Sequence, residues 1–88
     1  MTIREKLNTN NKLLQKPDIT ENEKVPLDIE NIWINNLKDK EKRILQLDEY
    51  LNNLEIKSPE IYNNILAPDS NGLNEIQKIA SRVSKIIF

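Results

Sequence analysis

Ser81 and Lys85 stand four residues apart near the end of the chain, the spacing that puts a hydroxyl and an amine on one helical face. A Ser–Lys pair makes a nucleophile only when the lysine is desolvated enough to lose its proton. Here both fall on the polar side of an amphipathic stretch, so the lysine stays charged and the pair does no catalysis. Asp48 and Glu49 are adjacent and point in different directions on a helix, so they form no acid/base dyad. Asp69-Ser70-Asn71-Gly72 has part of the pattern of a calcium loop. Ala67 stands where an earlier ligand is needed, and Lys78 where the closing glutamate belongs. With one glycine in the chain there is no glycine-rich phosphate loop. Histidine and cysteine are both absent, which removes zinc sites of the usual kind, imidazole catalysis, thiol chemistry and disulfide staples. The chain reads as a non-enzyme with no cofactor, no metal and no small-molecule substrate.

What remains is surface. On the C-terminal stretch Lys78, Arg82 and Lys85 line up opposite an apolar face, and no acid follows Glu75. The stripe suits the negative end of a helix dipole, and it also fits phosphate contact, in which the basic residues Arg4, Lys6, Lys12 and Lys16 could cooperate. Overall charge argues against nucleic acid: 13 basic and 14 acidic residues leave −1. The charges are unevenly placed. Residues 1–16 hold four bases and one acid (+3), and 17–31 one base and five acids (−4). Residues 32–57 balance, 58–75 hold three acids (−3), and 76–88 three bases (+3).

The apolar pattern is stronger. Trp33, Leu37, Ile44, Leu47, Leu51 and Leu54 follow at steps of four and three, with Lys40 the one residue out of place. That spacing makes a seam along a helix and demands a partner surface. Asp28 is placed to cap it, Leu27 and Ile32 stand at staple spacing, and Glu30 suits the positive end of the dipole. The pattern predicts one helix over about 28–55, ~40 Å long. Asn35-Asn36 and Asn52-Asn53 are its weak points. Ser58-Pro59-Glu60 starts a second helix, which Pro68 ends near residue 66. After a turn at Pro68–Gly72, a third helix runs over about 73–87, with Leu73, Ile76, Ile79, Ala80, Val83, Ile86 and Ile87 as its apolar face.

Residues 1–26 read as a flexible basic arm and an acidic linker, partly disordered. Ile3, Leu7 and Leu14 line up as a short helix would need, but Asn8, Asn10 and Asn11 weaken it. Thr20 and Glu23 match a capping box, yet Pro26 stands where the helix behind it would run. The first residues hold no apolar run of signal-peptide length, and no stretch approaches the ~20 apolar residues of a membrane span. The expected location is the cytoplasm.

The expected fold is all-α: a small bundle or hairpin on the long helix, with residues 27–88 as the helical domain. The seam serves either as an internal core or as an interface, homo-oligomeric or with another protein. Ile34, Leu45, Tyr50 and Ile56 widen the apolar arc, which favours a bundle over a thin coiled coil. The expected function is a small protein–protein interaction module, an adaptor, assembly subunit or stoichiometric inhibitor. Trp33, Ile34, Leu37 and Tyr50 are its contact residues, with the sole tryptophan as anchor. The alternative is a nucleic-acid-binding regulator using Lys78, Arg82 and Lys85.

Overall fold

The computed structural model describes residues 2–87, the side chains of residues 86 and 87 excepted. Five helices follow in order: α1 (Ile3–Leu14), α2 (Glu21–Asn35), α3 (Lys40–Lys57), α4 (Pro59–Leu66) and α5 (Glu75–Ile87), with no strand among the described residues. The architecture is the all-α bundle that the periodicity predicts. α2 is its axis and touches α1, α3 and α5, while α4 joins α3 to α5.

The long helix expected over 28–55 is two helices, broken at residues 36–39. Asn36 makes the break. Its side-chain amide donates to the Ile32 carbonyl at 2.9 Å, which competes with the next turn for that acceptor, and to Gln46 Oε1 at 2.6 Å. Its own N–H turns back to the Trp33 carbonyl, tightening the last turn. Three residues on, Asp39 restarts the helix: its carboxylate accepts from the Lys42 N–H at 3.0 Å. Asn36 meets Gln46 close to the turn, and Asp28 meets Tyr50 far from it, so α3 folds back antiparallel on α2. Lys40, the gap in the seam, is the first residue of α3.

The stretch read as arm and linker holds α1 and the first turns of α2. Thr2 caps α1 by accepting from the Glu5 N–H at 3.1 Å. Thr20 caps α2: its hydroxyl accepts from the Glu23 N–H at 3.3 Å and donates to the Glu23 carboxylate at 3.1 Å. Pro26 lies inside α2, against expectation. It costs one backbone bond, that of the Asn22 carbonyl, and an interior proline costs about 3 kcal/mol. Val25 and Ile29 flank it, both fully buried, and each side chain contributes about 1.5–3 kcal/mol on burial. Burial on either side, with the cap at Thr20, offsets the proline.

α4 spans the residues expected, and α5 begins two residues later than expected. Asn74 and Gln77 exchange reciprocal bonds of 2.9 Å, side chain to backbone N–H, and set that start. The turn before it is held by Asp69, whose carboxylate accepts from the N–H groups of Asn71 and Leu73 at 2.8 and 3.1 Å. Gly72 sits there at φ +78°, in the left-handed region. The core is Val25, Ile29, Ile34, Leu47, Leu54, Ile65, Ile79 and Val83, contributed by α2, α3, α4 and α5, with Ile3 and Leu7 of α1 packed against it. Of the expected seam, Leu47 and Leu54 are buried and Leu51 partly so, while Ile44 is 47% exposed. Among the described residues no helix is long and apolar enough to cross a membrane.

Candidate interaction site

At the break between α2 and α3 the chain leaves an open apolar cleft of about 430 Å³. Trp33 and Leu37 form one wall, from the end of α2 and the turn after it; Ile3 of α1 and Val83 and Ser84 of α5 form the others. Lys38 and Arg43 complete the lining. The turn positions these groups: Trp33 precedes the break, Leu37 and Lys38 lie in it, and Arg43 follows in the first turn of α3. Trp33 is half-buried and packs on the core with its inner edge. The Arg43 guanidinium carbon lies 4.2 Å from the Trp33 ring centroid, within cation–π range. The indole N–H is buried with no hydrogen-bond partner among the described residues, a loss of about 1–3 kcal/mol against a paired group.

The four expected contact residues are therefore divided. Trp33 and Leu37 share the cleft. Ile34 faces the other way and is 6% exposed, a core residue. Tyr50 lines a separate polar cleft of about 240 Å³ between α2 and α3, with Glu21, Lys24, Asp28, Asn53 and Lys57 around it. Its hydroxyl donates to Asp28 Oδ2 at 3.0 Å. Burial, then the charge of Asp28 and that hydrogen bond, push the phenol well above its ordinary pKa of 10.0, so it remains a donor.

The basic stripe is mostly paired. Lys78 lies 2.9 Å from Asp69. Arg82 lies 3.3 Å from Glu30 and 3.6 Å from Glu75. Among the described residues Lys85 has no acidic partner. It is exposed, as is Ser81, and no hydrogen bond joins the two. Hydrogen bonds to Lys78, then to the Leu73 and Asn71 backbone, hold the Asp69 carboxyl down to about 2. The acidic turn that resembles part of a calcium loop thus serves to fasten α5. Among the described residues no three acids gather closely enough to hold a metal ion.

Sequence reasoning missed a buried polar hub behind the cleft's α1 and α5 walls. Glu30 is 4% exposed on α2. Its carboxylate meets Lys6 of α1 at 3.1 Å, Asn10 of α1 at 3.3 Å and Arg82 of α5 at 3.3 Å. Asn10 is fully buried and its amide also donates to Asn31 at 3.0 Å. Both contacts of that nitrogen are acceptors, which fixes the orientation of the amide. One carboxylate thus ties three helices together and sets where Ile3 and Val83 stand. No family model, curated protein or solved structure matches this chain.

Proposed function

We propose that this chain is a protein–protein interaction module without catalytic activity, and that it engages its partner through the cleft at Trp33 and Leu37. One observation carries the reading: a Trp–Leu wall with a preset arginine lines a cleft open to solvent. Tryptophan and arginine are the residues most enriched where binding energy concentrates. The reactive pairs the chain offers are exposed, unconnected or committed to capping. A module of this kind suits an adaptor, an assembly subunit or a stoichiometric inhibitor.

The test compares the wild-type chain with Leu37→Gln as bait for chemical crosslinking in its native cells. The reading expects one protein recovered in near-equal amount with the wild type and lost with the variant, at a thermal midpoint within a few degrees of wild type. Recovery of the same proteins by both baits would refute it.

A further inference from the structure

We infer that the cleft takes an acidic amphipathic segment of the partner. One apolar side chain of that segment seats between Trp33, Leu37 and Val83, and its flanking carboxylates meet Lys38 and Arg43. The inference rests on the interaction reading above and adds the partner's chemistry.

Charge complementarity carries it. The ionisable residues lining the cleft are Lys38 and Arg43, and no carboxylate lines it among the described residues. Arg4, next to Ile3, and Lys85, next to Ser84, are exposed and basic as well. Lys6, Lys78 and Arg82 each have a carboxylate within ion-pair distance. Arg4, Lys38, Arg43 and Lys85 have none among the described residues. Asp39, the acid beside Lys38, is spent on capping α3. Glu5 is the other acid next to these four in the chain. Two unpaired cations, Lys38 and Arg43, on an apolar opening that no carboxylate lines among the described residues favour an anionic occupant with an oily side.

The geometry fits a helical segment. Ligand clefts span roughly 300–1,000 Å³, and about 430 Å³ lies near the lower end, suited to an anchoring side chain and part of its neighbour. Helix-in-groove recognition supplies such anchors at intervals of three and four, leaving the intervening positions for charge. Arg43 is already stacked on Trp33, so little side-chain freedom is lost when a carboxylate arrives. The guanidinium edge can then meet a carboxylate through two parallel N–H donors.

The experiment uses the full chain and two synthetic amphipathic peptides. Both carry leucine at the same positions; one has glutamate on its polar face, the other lysine. Trp33 is the chain's only tryptophan, so its emission reports binding directly. The expected result is at least roughly tenfold tighter binding of the glutamate peptide at low salt, narrowing near ~1 M salt. Lys38→Glu combined with Arg43→Glu should reverse the preference. Lys38→Gln alone, at an exposed position, should weaken the glutamate peptide several-fold with the fold unchanged by circular dichroism. Equal binding of the two peptides, or a preference that survives charge reversal, would overturn the inference. So would tighter binding to phosphatidylserine vesicles or a DNA oligonucleotide, or Trp33 emission that varies with the protein's own concentration, which would put a second copy in the cleft. If neither peptide binds while Leu37→Gln still loses the crosslinked partner, the acidic segment is wrong and the interaction reading stands.

Discussion

Removing the Glu30 carboxylate should loosen the whole bundle. Glu30→Ala deletes contacts to Lys6, Asn10 and Arg82 at 3.1, 3.3 and 3.3 Å, and with them the only side-chain polar link between α2 and α5 among the described residues, while Asn31 still bonds Asn10 and Asn11 of α1. The magnitude depends on what each partner does next. The Arg82 side chain is 49% exposed and can turn to water or to Glu75, so its share is at most about 0.5–1 kcal/mol. The Lys6 side chain is 22% exposed and loses more, on the order of 1 kcal/mol. Asn10 is fully buried and keeps Asn31, but one amide hydrogen is stranded at a cost of about 1 kcal/mol. Together these predict a loss of about 2–3 kcal/mol, short of the 3–5 kcal/mol for a fully buried pair because both cations can reach solvent. For a domain of this size the thermal midpoint should fall by roughly 10–20 °C. Urea unfolding followed by far-ultraviolet circular dichroism measures the change, with the slope checked for constancy. Glu30→Met fills the space but leaves Lys6, Asn10 and Arg82 without the carboxylate, so it should recover little of the loss. A loss under about 0.5 kcal/mol for Glu30→Ala would show that the hub does not hold α1 and α5 in place, and the cleft walls would then have no fixed position.

Acid should release the turn before α5. The Asp69 carboxyl is held down to about 2, below its ordinary 3.8, so its stabilising contacts are complete above the ordinary value and are lost as pH falls from about 4 to 2. Asp69→Asn should flatten that part of the stability–pH curve, and an unchanged curve would contradict the bonds to Lys78, Leu73 and Asn71. Asn36→Ala removes the bonds to Ile32 and Gln46 that stop α2, and should cost about 1–2 kcal/mol in the same urea assay. The same variant favours continuation of α2 into α3, so sedimentation should show more dimer than wild type; a monomer of wild-type stability would assign the break to other residues.

The parts of this fold that could be read in the chain are those written in local chemistry. α4 was legible at both ends because Ser58-Pro59-Glu60 and Pro68 act within a few residues of themselves. α5 was legible from its apolar face, with Asn74 and Gln77 trimming its start. The break at 36–39 was hidden by the seam itself. Two helices folded against one core can each bury a face while their apolar spacing runs unbroken through the turn, and only Lys40 and the Asn35-Asn36 pair signalled it. At Thr20 a capping box competed with Pro26, and the burial of Val25 and Ile29 decided for the helix. Tertiary burial of that kind outweighs a local propensity. The Glu30 hub had no local signal, because Asn10 and Arg82 lie 20 and 52 residues away from it in the chain. The pairing of Arg82 with Glu30 was invisible for the same reason, whereas Lys78 meets the nearby Asp69 only because the turn before α5 folds back on the helix.

The break also explains why the candidate site is where it is. A helix continuous from 28 to 55 would have carried Trp33, Leu37 and Leu47 on one outward seam, ready for a second chain. Folding at Asn36 turns Leu47 and Leu54 inward, where they join Ile29 and Ile34 in the core. Trp33 and Leu37 stand at the bend and line the open cleft. The same turn brings Lys38 and Arg43 to the rim, because they are the turn and first-turn residues of the returning helix. Apolar wall and cationic rim therefore have a single cause. A substitution that straightens the break should remove both together, whereas one that only loosens α1 or α5 should widen the cleft and leave Arg43 on Trp33. Fluorescence of Trp33 in Asn36→Ala and Glu30→Ala separates these outcomes, and a loss of the arginine contact in Glu30→Ala alone would break the link between the bend and the site.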